Sequence, residues 1–245
     1  MGLFGNLFSS KKVKDSVLAW DMHNHILFGI DDGSKTLESS LDMARQFTDL
    51  GYARVVATPH IMGDYYPNTR AIISEKADIL NSALKENHIH LKVDFAAEYY
   101  MDEVFLDKVN ANEELLTFHG KHLLMETSFM NKPMFFNKLV FDLKTKGYIP
   151  VFAHPERYVY HHQAYGEIEQ LMHLGVKLQI NLLSLLGYYS PQVKKLAHWM
   201  VKNGYYHFLG TDAHSTEHLK LTHEVFRSKI FESIDFSKVE NAAVK

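Results

Sequence analysis

The sequence predicts an α/β fold: a distorted seven-stranded, TIM-like (β/α) barrel. Three observations predict it. Short apolar runs alternate with helix-period segments about seven times along the chain, the pattern of βα units feeding a parallel sheet. Several of the helical segments end at a glycine, as C-caps do. The residues with chemical potential fall at the C-terminal ends of the apolar runs, and in a barrel those ends open on one face. An open doubly wound sheet is the alternative, but it sets such ends along a line where they cannot converge.

The strand candidates, in order, are SVLAWDMHNH, ARVVATPH, LKVDFAAE, KHLLMET, YIPVFAHP, VKLQIN and YYHFLGTDAH. Between the first two, TLESSLDMARQFTDLG carries Leu37, Leu41, Ala44 and Phe47 on one helix face and stops at Gly51. RAIISEKADILNSALKEN repeats the rhythm with Ile73, Ala77, Leu80 and Leu84. FFNKLVFDLKTKG, EIEQLMHLG and SPQVKKLAHWMVKNG are further helices, and in the last Ser190 is a natural N-cap with Pro191 at the first helical position. No repeat, low-complexity tract or linker interrupts residues 18–245, which are therefore expected to form a single domain. Residues 1–17 are expected to be a mobile arm: MGLFGNLFSSKKVK sets its apolar residues before its lysines, the reverse of a secretory signal.

Composition narrows the function classes. With 46% hydrophobic and 22% charged residues in 245, the chain is of ordinary soluble type. A net charge of −3 provides no field for gripping a polyanion, so no nucleic-acid partner is expected. No apolar run reaches the length of a membrane span, and the default compartment is the cytoplasm. The absence of cysteine excludes disulfides, thiolate metal ligands and every mechanism that needs a thiol nucleophile. Sixteen histidines are the compositional outlier.

Six of the seven strand candidates end in an imidazole or a carboxylate. They deliver His23 and His25, His60, Glu98, Glu126, His154, and Asp212 with His214; Asp32 lies in the turn after the first. Any one of these is ordinary. An HxH pair arises whenever alternate strand residues share a face, and Asp31-Asp32-Gly33 is a common turn. Convergence of all nine on one rim points to a metal site. Five histidines and four carboxylates without sulfur suit manganese, iron or zinc, and nine ligands exceed what one catalytic ion needs, so two or three ions are expected. Clustered cations activate water and clamp phosphoryl oxygens. Arg157, three residues after His154, is the candidate for gripping a phosphate. The remaining histidines are expected to be structural, with His161-His162 and Met62–Tyr66 as secondary candidates for the mouth of the site.

DMHNHILFGIDDG, VVATPH, the Glu of FAAEYY, the Glu of LLMETSF, GYIPVFAHPER and LGTDAH run in this order over residues 20 to about 215. Together they resemble the PHP (polymerase and histidinol phosphatase) superfamily. Within it they are most similar to the metal-dependent bacterial protein-tyrosine phosphatases encoded with capsule and exopolysaccharide genes, the CpsB/CapC family. The resemblance implies three ions. His23, His25, Glu98 and Asp212 would hold the first, Glu98, Glu126 and His154 the second, and Asp32, His60 and His214 the third. It further implies manganese as the cofactor, Arg157 as a phosphate contact, and phosphotyrosine on the tail of a cognate bacterial tyrosine kinase as substrate. Phe28, Ala97 and the stretches YYMDE and METSFM depart from the usual pattern at the rim rather than at the ligands, which bears on substrate choice and leaves the metal set intact. Two other enzymatic readings are a histidinol-phosphate or other small-molecule phosphatase and a TatD-like metal-dependent nuclease. A catalytically silent module docking phosphorylated tails is a third reading, against which the intact ligand set speaks.

Overall fold

Strands buried on both faces, with helical returns, are the form a parallel sheet takes. The computed structural model describes residues 17–242, so the expected arm lies outside the described residues except for Val17. It contains the strands β1 Arg54–Ala57, β2 His60–Ile61, β3 Lys92–Phe95, β4 Glu98–Tyr100, β5 His122–Glu126, β6 Ile149–Ala153, β7 Lys177–Asn181 and β8 Phe208–Gly210. β1 pairs with β3 in a two-stranded sheet, and the others form a six-stranded sheet in the order β2-β4-β5-β6-β7-β8. Every pair is parallel.

This differs from seven continuous strands, for two reasons. ARVVATPH is divided into β1 and β2 around Pro59, which has no N–H for a ladder, and LKVDFAAE is divided opposite it into β3 and β4. The halves still run beside each other, because Ala96 N–H donates to Ala57 O at 2.8 Å and Glu98 N–H to Pro59 O at 3.0 Å. Among its described residues, SVLAWDMHNH forms no continuous strand. Within it Asp21 and Asn24 make single parallel bridges to Val55 and Ala213. Backbone bonds still tie it to both sides, with Val56 N–H donating to Asp21 O at 2.8 Å and His25 N–H to Ala213 O at 2.9 Å. Side chains add to them: the Asp21 carboxylate accepts from the Thr211 N–H and hydroxyl, both at 2.9 Å, and the Asn24 amide donates to Val56 O at 3.1 Å.

Eight helices connect these segments: α1 Leu37–Asp49, α2 Arg70–Glu86, α3 Glu103–Asn110, α4 Phe136–Thr145, α5 Gly166–His173, α6 Pro191–Asn203, α7 Thr216–Phe226 and α8 Lys229–Glu232. Thr36, Thr69 and Ser190 cap α1, α2 and α6 by accepting a backbone N–H. Gly51, Gly147, Gly175 and Gly204 lie just beyond four helices with positive φ, the left-handed stop expected of them. The α2 face is as its spacing predicts; burial of Ile73, Leu80 and Leu84, each 1% exposed or less, stabilises it by roughly 1.5–3 kcal/mol apiece. On α1 the buried face is rotated: Ser40, Met43, Ala44 and Phe47 are buried, while Leu37 and Leu41 are only half-buried. α3, α7 and α8 were not expected. Among the described residues no helix is long and apolar enough to cross a membrane.

The core has two parts. The larger cluster lies between helices and strands, with Phe47, Leu80, Phe136, Leu178 and Leu196 among its members. The smaller takes Met22, Val56, Ala96, Leu124, Val151, Ala153 and Phe208 from successive strand segments, closed by Trp20 and Phe118. The chemistry-bearing side chains follow the C-terminal ends of these segments.

Candidate metal centre

The nine candidate ligands and Arg157 come together. His23 and His25 lie on the bridging segment between β1 and β8, and Asp32 on the turn that follows. His60 and Glu98 open β2 and β4, side by side in register, while Glu126 ends β5. His154 follows β6, and Asp212 and His214 follow β8. Glu98 is the hub. One of its oxygens lies 3.1 Å from His23 Nε2, 3.5 Å from His25 Nε2 and 3.2 Å from His60 Nδ1; the other lies 3.3 Å from His154 Nε2. Asp212 Oδ1 stands 3.4 and 3.3 Å from the same His23 and His25 nitrogens. Asp32 Oδ1 lies 3.4 Å from His60 Nε2 and 3.3 Å from His214 Nε2. Glu126 reaches His60 at 3.0 Å and His154 at 3.9 Å.

These distances sort into overlapping groups whose donor atoms lie within 4.8 Å of one another: His23, His25 and Glu98; His23, His154 and Asp212; His60, Glu98 and Glu126; and His25, Asp32, His60 and His214. The grouping overlaps the three sets that the sequence resemblance implies, with His60 joining Glu98 and Glu126 as well as Asp32. The donor set fits metal ions on an independent ground. His23 Nε2, His25 Nε2, His60 Nδ1 and both Glu98 oxygens are buried without a well-formed hydrogen bond. Such groups cost about 1–3 kcal/mol each when left unpaired, and coordination is the usual way to satisfy them.

A second layer orients the ligands. His23 Nδ1–H donates to Gln179 Oε1 at 2.9 Å and His25 Nδ1–H to Asp31 Oδ2 at 2.7 Å, which leaves each Nε2 as a lone pair facing the cluster. His214 Nδ1–H donates to Asp212 O at 2.8 Å with the same effect on its Nε2. Gln179 Oε1 also accepts the His154 N–H at 3.3 Å. His154 and Asp212 have φ of 32° and 48°. Left-handed backbone at non-glycine residues stores of order 1–3 kcal/mol and is characteristic of functional sites.

The carboxylates draw positive charge inward. Burial opposes charge on His25, yet Asp31, Asp212 and Glu98 raise its pKa well above the usual imidazole value. Burial and His25 oppose charge on His60, but Asp32 and Glu126 push it up to about 10. Burial also works against ionised Glu98 and Asp212, but His23 and its neighbouring histidines hold both well below the carboxylate range. A divalent ion answers the same field, releasing those protons as it binds.

Arg157 stands at the edge of the cluster. Its Nη1 donates to Asp212 Oδ2 at 2.6 Å, and its guanidinium lies 4.7 Å from the Phe129 ring centre and 4.1 Å from that of Tyr189. Asn181 donates to the same Asp212 oxygen and to the Tyr189 hydroxyl, both at 2.9 Å. Tyr66 stacks on His60 with ring centres 5.6 Å apart, in agreement with a mouth position for that loop. His161 is buried and His162 half-buried; their ring nitrogens donate to Pro155 O and Glu156 O and brace the His-Pro-Glu-Arg turn. His218, expected to be merely structural, accepts the His214 N–H at 3.3 Å. Phe28 packs under the Lys76 ammonium of α2, 4.3 Å from its ring centre.

Sequence reasoning missed Gln179, Asn181, Tyr189 and Phe129. Gln179 and Asn181 sit at alternate positions of β7, whose segment VKLQIN is the one strand candidate in the sequence that ends without an imidazole or carboxylate, and that alternation was the available signal.

Comparison with known proteins places the chain. Residues 19–228 match the family of capsular polysaccharide synthesis proteins CpsB/CapC. The tyrosine-protein phosphatase YwqE of Bacillus subtilis is 35% identical over 199 residues, covering 80% of this chain and 78% of the relative. A solved structure described as belonging to YwqE from Bacillus subtilis and CpsB from Streptococcus pneumoniae, unique metal-dependent tyrosine phosphatases, aligns with a TM-score of 0.77 at 32% identity. It covers 92% of this chain and 96% of that one. A histidinol phosphate phosphatase from Lactococcus lactis, solved with zinc, L-histidinol and phosphate, aligns at 0.55 with 14% identity over 86% and 94% of the two chains, a likeness of fold. The extent of the family match and the identity to YwqE show that this chain belongs to the CpsB/CapC family of capsular polysaccharide synthesis proteins.

Proposed function

We propose that the protein is a metal-dependent phosphomonoesterase that hydrolyses phosphotyrosine on a protein. The observation that carries this is the convergence of nine candidate ligand residues, Glu98 among them at the centre, with the Arg157 guanidinium against the rings of Phe129 and Tyr189 at their edge. We assign His23, His25, Glu98 and Asp212 to a first ion, Glu98, Glu126 and His154 to a second, and Asp32, His60 and His214 to a third. Bound ions, manganese by preference and iron or zinc otherwise, supply a lowered water pKa and a positive clamp for phosphoryl oxygens.

The chain's own residues do the rest. Asp31 and Gln179 hold the imidazoles of His25 and His23 in the tautomer that ligation needs. Arg157 keeps its guanidinium aimed through its bond to Asp212 and offers its remaining N–H groups to a phosphate oxygen, where they counter charge gained in the transition state. Tyrosinate, with a pKa near 10, leaves with less help from a general acid than an alkoxide needs. The chain has no cysteine, so the thiol-phosphate route is closed to it.

The reading extends to fold, partner and place. The bridges of Asp21 to Val55 and of Asn24 to Ala213, and the inner cluster shared by successive segments, support closure into a distorted seven-stranded barrel within residues 18–245. The substrate is phosphotyrosine on the tail of a cognate bacterial tyrosine kinase, met in the cytoplasm where the ATP that phosphorylates it is found. Turnover by manganese-loaded protein on a phosphotyrosine peptide, histidinol phosphate and single-stranded DNA tests the reading. The peptide is expected to be preferred by a wide margin; preference for either of the others overturns it.

A further inference from the structure

Phe129 stands three residues beyond Glu126, just past the end of β5, and has no part in binding ions. Its ring stacks on His154 at 5.9 Å and 28°, tilts against Tyr158 at 5.6 Å, and lies 4.7 Å from the Arg157 guanidinium carbon. Its backbone is pinned, since its carbonyl accepts the Val159 N–H at 2.9 Å. Yet the residue is 40% exposed, and Met130 beside it is 63% exposed. An aromatic ring that is fixed in place, touches both a candidate ligand and the phosphate-gripping arginine, and still presents surface to solvent has the attributes of a platform rather than of core packing.

We propose that Phe129 is a specificity-determining residue that receives the aryl ring of the substrate. The inference rests on the phosphotyrosine reading and deepens it. A phosphate held at Arg157 leaves its ester group next to the guanidinium, at the level of the Phe129 ring. An aryl ester can lie offset or edge-on against that ring; an alkyl ester has no π-face and gains little. Aromatic pairs beyond simple burial correspond to about 2- to 12-fold in an equilibrium. Tyr189, on the other side of Arg157, has its hydroxyl committed to Asn181, so its part is to hold the arginine.

The test compares Phe129→Leu and Phe129→Trp with the wild type, all metal-loaded. KM and kcat are measured on a phosphotyrosine peptide and a phosphoserine peptide of the same sequence. Calorimetric binding of benzylphosphonate and propylphosphonate gives a readout independent of turnover. Phe129→Leu is expected to raise KM for the phosphotyrosine peptide and weaken benzylphosphonate roughly 3- to 10-fold. The alkyl pair is expected to lose clearly less, only what passes through Arg157, and Phe129→Trp to restore the aryl values. Equal loss on aryl and alkyl ligands overturns the proposal, because Phe129 would then act only through Arg157. Unchanged aryl binding in Phe129→Leu also overturns it. Absence of aryl phosphate turnover by the wild type is a separate outcome, which overturns the phosphatase reading and this inference with it.

Discussion

Gly33 is where a single methyl group tests the geometry of the centre. It closes the Asp31-Asp32-Gly33 turn, in which its N–H donates to Asp31 Oδ1 at 2.9 Å and the next N–H, of Ser34, donates to His25 O at 3.0 Å. A Cβ placed on Gly33 would stand 2.2 Å from His25 O and 2.4 Å from His25 Cβ. Neither atom can swing aside, because both are fixed by the backbone of a candidate ligand. The turn must move instead, and overpacking of this kind costs typically about 1–3 kcal/mol. With a urea slope of about 3 kcal/mol per molar, the upper end of the usual range and fitting for 245 residues, the midpoint of Gly33→Ala is expected to fall by about 0.3–1 M. The same displacement draws Asp31 away from His25 Nδ1 and Asp32 from His60 and His214, so metal affinity is expected to fall by about 10- to 100-fold, as when an outer-shell partner is lost. Gly166→Ala is the control: a Cβ there meets nothing within 4 Å, and its φ is not in the positive range. It is expected to stabilise by about 0.4–1 kcal/mol through the unfolded chain. Urea titration and metal-binding calorimetry on both variants decide the matter. If Gly33→Ala unfolds and binds metal as Gly166→Ala does, the placement of the turn against His25 is wrong.

Two further predictions follow from other contacts. Arg157→Lys keeps the charge but loses the flat fork between Phe129 and Tyr189, so kcat/KM on a phosphotyrosine peptide is expected to drop about 10²-fold with metal content unchanged; full retention would remove Arg157 from the phosphate site. Burial lowers the His161 pKa to about 4, so between that value and the ordinary 6.5 the unfolded chain binds the proton more tightly. Its contribution is whole above pH 6.5 and is lost as pH falls toward 4, at most about 3 kcal/mol. His161→Asn is expected to flatten the loss of stability between pH 6.5 and 4.5 in urea titrations, and an acid limb parallel to wild type would count against the assignment.

The candidate ligands were legible because strand alternation and the βα rhythm are local: His23 and His25, or His154 and Arg157, carry their spacing in the sequence itself. What supports them was less so. Gln179 and Asn181 are uncharged amides on a strand that ends without a ligand, and only packing of β7 against β6 and β8 brings them to His23 and Asp212. Phe129 carries no charge or ligating atom, and only folding sets it beside Arg157. The first strand was legible only in part: its apolar run is real and its backbone bonds to the segments on both sides, but the pairing is confined to single bridges at Asp21 and Asn24. α7 could have been found from Ser215 as N-cap and the buried Leu219, Thr222 and Val225. The position of Glu98 at the start of β4 rather than the end of one long strand depends on the break around Pro59 in the strand beside it, a tertiary matter.

Glu98 is the residue on which the centre turns, since its two oxygens face four histidines while it is itself fully buried. The most direct measurement is therefore elemental analysis of metal per chain for the wild type and Glu98→Gln, with circular dichroism to establish that both are folded. The wild type is expected to hold two or three manganese equivalents after loading, and Glu98→Gln one or fewer. A folded wild type holding less than one equivalent, or a Glu98→Gln variant that keeps the full complement, would contradict that expectation.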